Sequence, residues 1–295
     1  MPSYIDLRLR ITLWPGTVVP TPPLRPWSEV EVDGDWIVWP VGGGTKAEPR
    51  ELPPDFYMRE LLELSPDDVE AAADLMRTYG KLFDLDNAEL SESLLFDAAD
   101  ELQDIPDQGI LWDAHSVRGI HRGIVALHLE AAQEAVRTWL ACQDEGGLEE
   151  LVEPHITDEW LQKLRQQNTD RDREWPESLD ELRKFAISER ISDLRETINS
   201  ALSRFSIGLG DLSDRDPTIY SVSFLQLYNH LAEGMPIKHC ANEPCPVRFA
   251  RQRGTAEYGY HRTQGVKYCS RGCARAQAQR ELRRRRRKAE RSQSA

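Results

Sequence analysis

The chain lacks any long apolar segment. Its hydrophobic residues make up 40% of the sequence, but charged residues interrupt them throughout. No uninterrupted apolar run approaches the roughly 18 residues that a membrane-spanning helix needs. The first twenty residues alternate charged with apolar side chains instead of forming the apolar core of a signal peptide. The sequence therefore predicts a cytoplasmic protein with no membrane partner.

Catalytic signatures are missing as well. The sequence contains no phosphate loop, no dinucleotide-binding fingerprint and no nucleophile elbow. Among its seven histidines, His121 and His128 are seven residues apart on a predicted helix, but no HExxH motif accompanies them. We therefore predict that the protein is not an enzyme and has no catalytic residues.

Positive charge is scarce in most of the chain and concentrated at its end. From Pro236 onward, sixteen Lys and Arg face four Glu, a net charge of +12, whereas the preceding residues hold 21 basic and 46 acidic side chains, a net charge of −25. A length of 295 residues favours two domains. We therefore predict an acidic domain over residues 1–235 and a basic domain over residues 236–295. Such asymmetry is typical of a nucleic-acid-binding segment joined to an unrelated acidic domain.

The start of the chain has the period of a β-sheet. Apolar residues alternate with polar ones from Ile5 to Leu13, which predicts a half-buried strand. Val30 and Val32 lie before Asp33-Gly34, a dipeptide suited to a tight hairpin turn, and the apolar run from Trp36 to Trp39 follows it. These patterns predict a small antiparallel sheet.

The period then changes to that of helices. Ser65 is a candidate N-cap with Pro66 at the first helical position, and Gly80 is a stop signal. Further helices are predicted over Val117 to Cys142, from about Leu179 to Leu202, and over Phe224 to Ala232. The predicted fold class is α+β, with a small N-terminal antiparallel sheet in a mostly α-helical domain.

Cysteine is rare except near the end of the chain. Four of the five cysteines, Cys240, Cys245, Cys269 and Cys273, fall within 34 residues as C-x4-C, a 23-residue spacer and C-x3-C. Two close pairs separated by a longer loop suit a tetrahedral Zn²⁺ site. Two disulfides are the alternative, although nothing marks the chain as secreted and cytosolic thiols stay reduced. Zn²⁺ is the predicted cofactor.

The surroundings of the two pairs predict a treble-clef zinc finger. Residues 241–244 can form a turn between the first two cysteines, and Cys269 and Cys273 can share one face of a helix. The helix is expected to continue with a narrow apolar edge formed by Ala274, Ala278 and Leu282. Guanidinium groups suit phosphate oxygens. The predicted nucleic-acid-binding residues are Arg271, Arg275, Arg280, Arg283, Arg284, Arg286, Arg287 and Lys288. The alternative is a solvated basic tail.

The segment from Ile237 to Arg287 resembles the CGNR zinc-finger family. The resemblance lies in the run from Cys240 to Cys245, in Phe249, in Tyr268-Cys269-Ser270 and in the basic helix from Cys273. It implies a treble-clef module behind an α-rich ABATE-type domain, as in bacterial transcription regulators. Where the family has Cys-Gly-Asn-Arg, this chain has Cys273-Ala274-Arg275-Ala276. The four ligands therefore carry over, but contacts assigned to the Asn-Arg pair do not.

These observations predict a zinc-dependent, DNA-binding transcription regulator. DNA is the expected partner, with RNA as a second choice, and the acidic domain is expected to sense a small-molecule effector or a protein partner. The alternative function is an RNA-binding or protein-docking zinc module attached to an enzyme or scaffold domain.

Overall fold

The computed structural model describes residues 18–40, 47–83, 110–112, 117–167, 175–205, 216–235, 237–250 and 267–293. They belong to two compact units, one reaching Tyr228 and one beginning at Asn229, a division that falls within a helix. The predicted strand from Ile5 to Leu13 lies outside the described residues. Among the residues that are described, no helix is both long and apolar enough to cross a lipid bilayer.

The larger unit contains one four-stranded antiparallel sheet. Its strands are β1 (Glu31–Asp33), β2 (Trp36–Pro40), β3 (Ile110–Trp112) and β4 (Val117–His121), in the order β1-β2-β4-β3. Ile37 of β2 pairs with Ile120 of β4, and both side chains are buried. The sheet therefore has one apolar face directed into the core.

The predicted β1–β2 hairpin is confirmed, with its turn one residue later than the sequence suggested. Asp33 pairs with Trp36, so the two central turn residues are Gly34 and Asp35. Gly34 has a φ of 60°. Glycine adopts this left-handed conformation without steric cost, which is why the turn forms at this position.

Helices make up most of the remaining described residues of the larger unit. They are α1 (Val69–Tyr79), α2 (Arg122–Ala141), α3 (Gly147–Val152), α4 (Asp158–Gln167), α5 (Leu179–Leu202) and α6 (Ile219–Glu233), with a π-helical turn at Tyr57–Leu61 and 3₁₀ turns at Glu153–His155 and Ser203–Phe205. Together with the sheet they make an α+β fold, as predicted.

Three helix starts differ from the prediction. Helix α6, predicted from Phe224, begins five residues earlier at Ile219. Helix α1 begins at Val69, because the side chain of Asp68, and not that of Ser65, accepts the hydrogen bond from the Ala71 amide at 2.9 Å. The predicted helix from Val117 begins instead at Arg122, after the strand β4. Ile120 fits both a helical and an alternating period, and pairing with β2 decides in favour of the strand.

The C-terminal end of α1 and the N-terminal start of α5 agree with the predicted positions. Gly80 ends α1 with a φ of 118°, and a Cβ there would lie 2.1 Å from the carbonyl oxygen of Arg25. Only glycine fits such a position. Helix α5 begins after Ser178, whose hydroxyl accepts a hydrogen bond from the Glu181 amide at 3.3 Å. This is the usual role of serine at an N-cap.

The described residues of the smaller unit include two short strands and one long helix. Strands β5 (Lys238–His239) and β6 (Arg248–Phe249) pair antiparallel, and α7 spans Arg271–Gln293. The described residues of its core are Cys240, Phe249 and Cys269, with Cys245, Val247, Tyr268 and Cys273 packed around them. All four clustered cysteines therefore lie in or against this small core.

Candidate metal centre

The first cysteine pair is held by a tight backbone turn, which we call the knuckle (residues 240–245). The Cys245 amide donates to the carbonyl of Asn242 at 2.7 Å, and the Cys240 amide donates to the carbonyl of Val247 at 3.0 Å. The Ala241 amide donates to the backbone carbonyl of Lys267 at 2.8 Å, which brings the knuckle next to the second cysteine pair. These backbone bonds set the direction of the thiols of Cys240 and Cys245.

The second pair lies at the start of α7. The amide of Cys273 donates to the hydroxyl of Ser270 at 3.2 Å, so Ser270 caps the helix and fixes its first turn. The amide of Cys269 donates to the Sγ atom of Cys240 at 3.5 Å. A backbone donor of this kind stabilises negative charge on a thiolate. The helix start therefore supports ligands from both pairs.

The four sulfur atoms converge. The Sγ atoms of Cys240, Cys245, Cys269 and Cys273 all lie within 4.8 Å of one another. Cys269 Sγ is 3.7 Å from Cys245 Sγ and 3.5 Å from Cys273 Sγ. Four sulfurs bound to one ion at about 2.3 Å in a tetrahedron are separated by roughly 3.8 Å. The cluster therefore has the dimensions of a tetrahedral metal centre.

The same distances do not correspond to disulfides. An S–S bond is about 2.05 Å long, and all five cysteines are free. The fifth, Cys142, is buried in the core of the larger unit with Leu148 and Ile187. Burial raises the pKa of Cys142 to about 12, so its thiol stays protonated. Only the four clustered cysteines form a candidate metal site among the described residues.

The environments of the clustered thiols differ. Burial raises the pKa of Cys269 to about 12, whereas hydrogen bonding with Ser270 lowers the pKa of Cys273 to about 7. Metal ions bind the thiolate form of cysteine and displace its proton. Without a cation, four thiolates this close together would repel one another, so some of the thiols would have to keep their protons. A divalent cation bound between them removes this repulsion.

Three side chains of α7 hold the knuckle from outside the metal site. The Arg280 guanidinium donates to Asn242 Oδ1. Gln277 is buried and both donates to the Glu243 carboxylate at 3.3 Å and accepts from the Glu243 amide at 3.4 Å. Arg284 forms a bidentate ion pair with Glu243, with N–O distances of 2.6 and 2.5 Å. These contacts fix the orientation of α7 relative to the knuckle.

The helix geometry explains which side chains take part. An α-helix turns about 100° per residue, so Cys273, Gln277, Arg280 and Arg284 share one face. Arg284 also lowers the pKa of Glu243, mainly through its hydrogen bonds to the carboxylate. These four residues have side chains directed toward the knuckle. Sequence reasoning had assigned the charges of Arg280 and Arg284 to nucleic acid.

The opposite face of α7 is directed to solvent. Arg271, Arg275 and Arg286 lie there and are exposed, as are Arg283 and Arg285 on the flanks. Arg287 is exposed too, but it follows Arg280 by seven residues and so lies on the side of the knuckle. Leu282, expected on an apolar edge, lies on this outward face and is 50% exposed. Lys288 belongs to α7, but its side chain lies outside the described residues. The structure therefore divides the predicted arginines into two groups.

Sequence reasoning missed the supporting residues of the centre. Asn242 and Glu243 were assigned only to the turn between the first two cysteines, and Gln277 and Ser270 were assigned no supporting role. Their signal lies in spacing from the cysteines, since Gln277 and Arg280 follow Cys273 by four and seven residues. His239, which flanks the cysteines, lies in β5 and is exposed.

Comparison with protein-family models, curated proteins and solved structures finds no significant match.

Proposed function

We infer that the smaller unit is a zinc finger of the treble-clef type that binds nucleic acid, with DNA as its partner. The observation that carries this proposal is the convergence of four cysteine sulfurs at the start of a helix whose outward face carries arginines. The metal centre fixes the start of the helix, and the helix presents the positive charge.

Zinc is the metal that best suits this ligand set. A tetrahedral site made of four sulfur atoms selects Zn²⁺ or iron. Zn²⁺ sites with four protein ligands have no open position for a substrate, and their role is structural. The smaller unit has only about seventy residues, and its described core consists of Cys240, Phe249 and Cys269. A unit of this size is only marginally stable without a metal or disulfides. Structural zinc contributes on the order of 10 kcal/mol to the folding of such modules.

Nucleic acid is the partner that best suits the outward face of α7. Arg271, Arg275 and Arg286 are exposed there, with Arg283 and Arg285 beside them. Phosphate oxygens accept bidentate hydrogen bonds from guanidinium groups, and a polyanion relieves the repulsion within the arginine run. Arg280 and Arg284 instead have their guanidinium groups on the knuckle. In this proposal they orient the helix.

The full proposal is a transcription regulator. The acidic larger unit receives a signal, and the smaller unit binds DNA through phosphate contacts. The charge distribution of +12 after residue 235 and −25 before it supports a division of labour between the two parts.

The test combines metal analysis with binding. Full-length protein is expected to contain one zinc per chain and to shift duplex DNA in a gel. Cys269→Ala should abolish both properties, because three thiolates leave the tetrahedral shell open. Cys142→Ala is the matched control, since it removes a thiol outside the cluster, and it should retain both.

Two results would contradict the proposal. Zinc content well below one per chain, or iron in its place, would remove the zinc assignment. Binding of structured RNA in preference to duplex DNA, or of neither, would remove the DNA assignment.

A further inference from the structure

The larger unit contains a cavity far along the chain from the cysteine cluster. Its volume is about 530 Å³, and its walls come from the 3₁₀ turn Glu153–His155, the beginning of α4 and the middle of α5. Sites for small organic molecules have volumes of about 300–1,000 Å³. The cavity is therefore large enough for such a ligand.

One wall of the cavity is apolar and held in place by the core. Val152 and Ala186 line it and belong to a buried cluster with Ile187 and Ile191. Trp160 lines the cavity too, and its side chain packs against this cluster. An indole held in this way offers a large, rigid surface for an apolar group or a cation.

The other wall is acidic. Ala186, Glu189, Arg190 and Asp193 lie on one face of α5, at helical spacing, and all line the cavity. Arg190 is only 23% exposed and pairs with Glu134 of α2. Of the charged residues that line the cavity, the carboxylates of Glu189 and Asp193 outnumber the guanidinium of Arg190 by one. An anionic ligand would meet excess negative charge here, whereas a cation would balance it.

We propose that this cavity binds a small organic cation, with its apolar body against Trp160 and its ammonium or amidinium group beside Glu189 and Asp193. This inference goes beyond the proposed function, because it gives the larger unit a ligand of defined chemistry. It does not depend on zinc or on nucleic acid.

Three probes with a common phenylbutyl body separate charge from hydrophobicity. They are 4-phenylbutylamine, which is a cation at neutral pH, 4-phenylbutanol, which is neutral, and 4-phenylbutanoate, which is an anion. Titration calorimetry of the full chain should show saturable binding of the amine at one site, at least about tenfold tighter than either relative. One tenfold step corresponds to about 1.4 kcal/mol.

Substitutions locate the site. Glu189→Gln and Asp193→Asn keep the side-chain shape and remove one charge each, so each should weaken amine binding about threefold or more. Trp160→Leu should weaken it further than Trp160→Phe, which keeps an aromatic face. Glu159→Gln is the matched control, because Glu159 is an exposed acid of α4 that does not line the cavity. Circular dichroism of each variant establishes that it is folded.

The zinc proposal and this one fail separately. Cys269→Ala should leave amine binding unchanged. Equal or tighter binding of 4-phenylbutanoate would overturn the proposal, as would absence of saturable amine binding. Unchanged amine affinity in a folded Glu189→Gln, Asp193→Asn double variant would also overturn it.

Discussion

At the scale of single residues, Ser270 connects the metal centre to the helix. Its hydroxyl accepts the hydrogen bond from the Cys273 amide at 3.2 Å, so loss of the hydroxyl leaves that amide without its cap. We expect Ser270→Ala to destabilise the start of α7 by about 1 kcal/mol and to raise the dissociation constant for zinc about fivefold. Competition with a chromogenic chelator measures this. Ser292→Ala, near the other end of the same helix, should change neither property, and equal effects of both variants would contradict the assigned role.

His128 is a second residue with a measurable consequence. It is fully buried and stacked on Phe83, with ring centroids 3.6 Å apart. Burial lowers its pKa from 6.5 to about 3, so the folded chain holds it neutral while the unfolded chain protonates it below pH 6.5. Its contribution to stability is therefore complete above pH 6.5 and is lost as the pH falls toward 3, at up to about 1.4 kcal/mol per pH unit.

We therefore expect His128→Phe to flatten the dependence of melting temperature on pH between 6.5 and 4. The variant is compared with the unmodified chain by its slope and not by its absolute stability, because the substitution also changes packing. His155→Gln, at an exposed histidine, is the control. An unchanged slope for His128→Phe would show that His128 does not set the acid sensitivity of the larger unit.

At the scale of elements, α7 has two faces with separate tasks. Arg275 and Arg286 lie on the outward face, whereas Arg280 contacts Asn242 of the knuckle. Each phosphate contact contributes about 0.9 to the slope of log affinity against log salt concentration. Arg275→Gln combined with Arg286→Gln should therefore reduce the slope by about 1.8. Arg280→Gln should leave the slope nearly unchanged and lower the melting temperature of the smaller unit. If Arg280→Gln instead reduced the slope and the double variant did not, the roles assigned to the two faces would be wrong.

Local sequence signals predicted elements whose determinants are close together in the chain. The β1–β2 hairpin follows from the glycine at its turn, and α5 has the predicted bounds because Ser178 caps it and its apolar spacing is continuous. Strand β4 was predicted as helix, because its pairing partner β2 lies about eighty residues away in the sequence. Periodicity within a short window cannot report such a distant neighbour.

The four candidate metal ligands were predictable from the sequence, and their supporting contacts were not. Cysteine pairs have few alternative explanations, so their spacing alone identified all four sulfurs that converge. The arginines of α7 are chemically identical in sequence, and only their angular position relative to Cys273 separates Arg280 and Arg284 from Arg275 and Arg286. The angular position predicts the contacts of each arginine only when the structure shows that the knuckle lies over one face of the helix.

At the scale of the whole molecule, charge opposes the proposed activity. Residues 1–235 carry a net charge of −25, the same sign as DNA, and residues 236–295 carry +12. The acidic part should repel the duplex at a range of about 8 Å at physiological salt. A chain beginning at Met235 should therefore bind DNA more tightly than the full chain at low salt.

The measurement is the difference in affinity between the two chains as salt increases. The advantage of the shorter chain should disappear near 1 M salt, where the screening length is about 3 Å. Equal affinities at low salt would show that the acidic residues have no influence on binding.

The contacts between α7 and the knuckle also set where the helix can open. Arg284 is the furthest residue along α7 whose contact with the knuckle is described, and the helix continues to Gln293. Backbone amides before this point should exchange with deuterated water slowly, because opening them requires disruption of the metal centre. Amides after it should exchange quickly, since adjacent arginines repel one another and the side chains of residues 285–287 are exposed. Addition of duplex DNA should slow exchange in that second segment alone, so the end of the helix would gain its order from the partner that it binds.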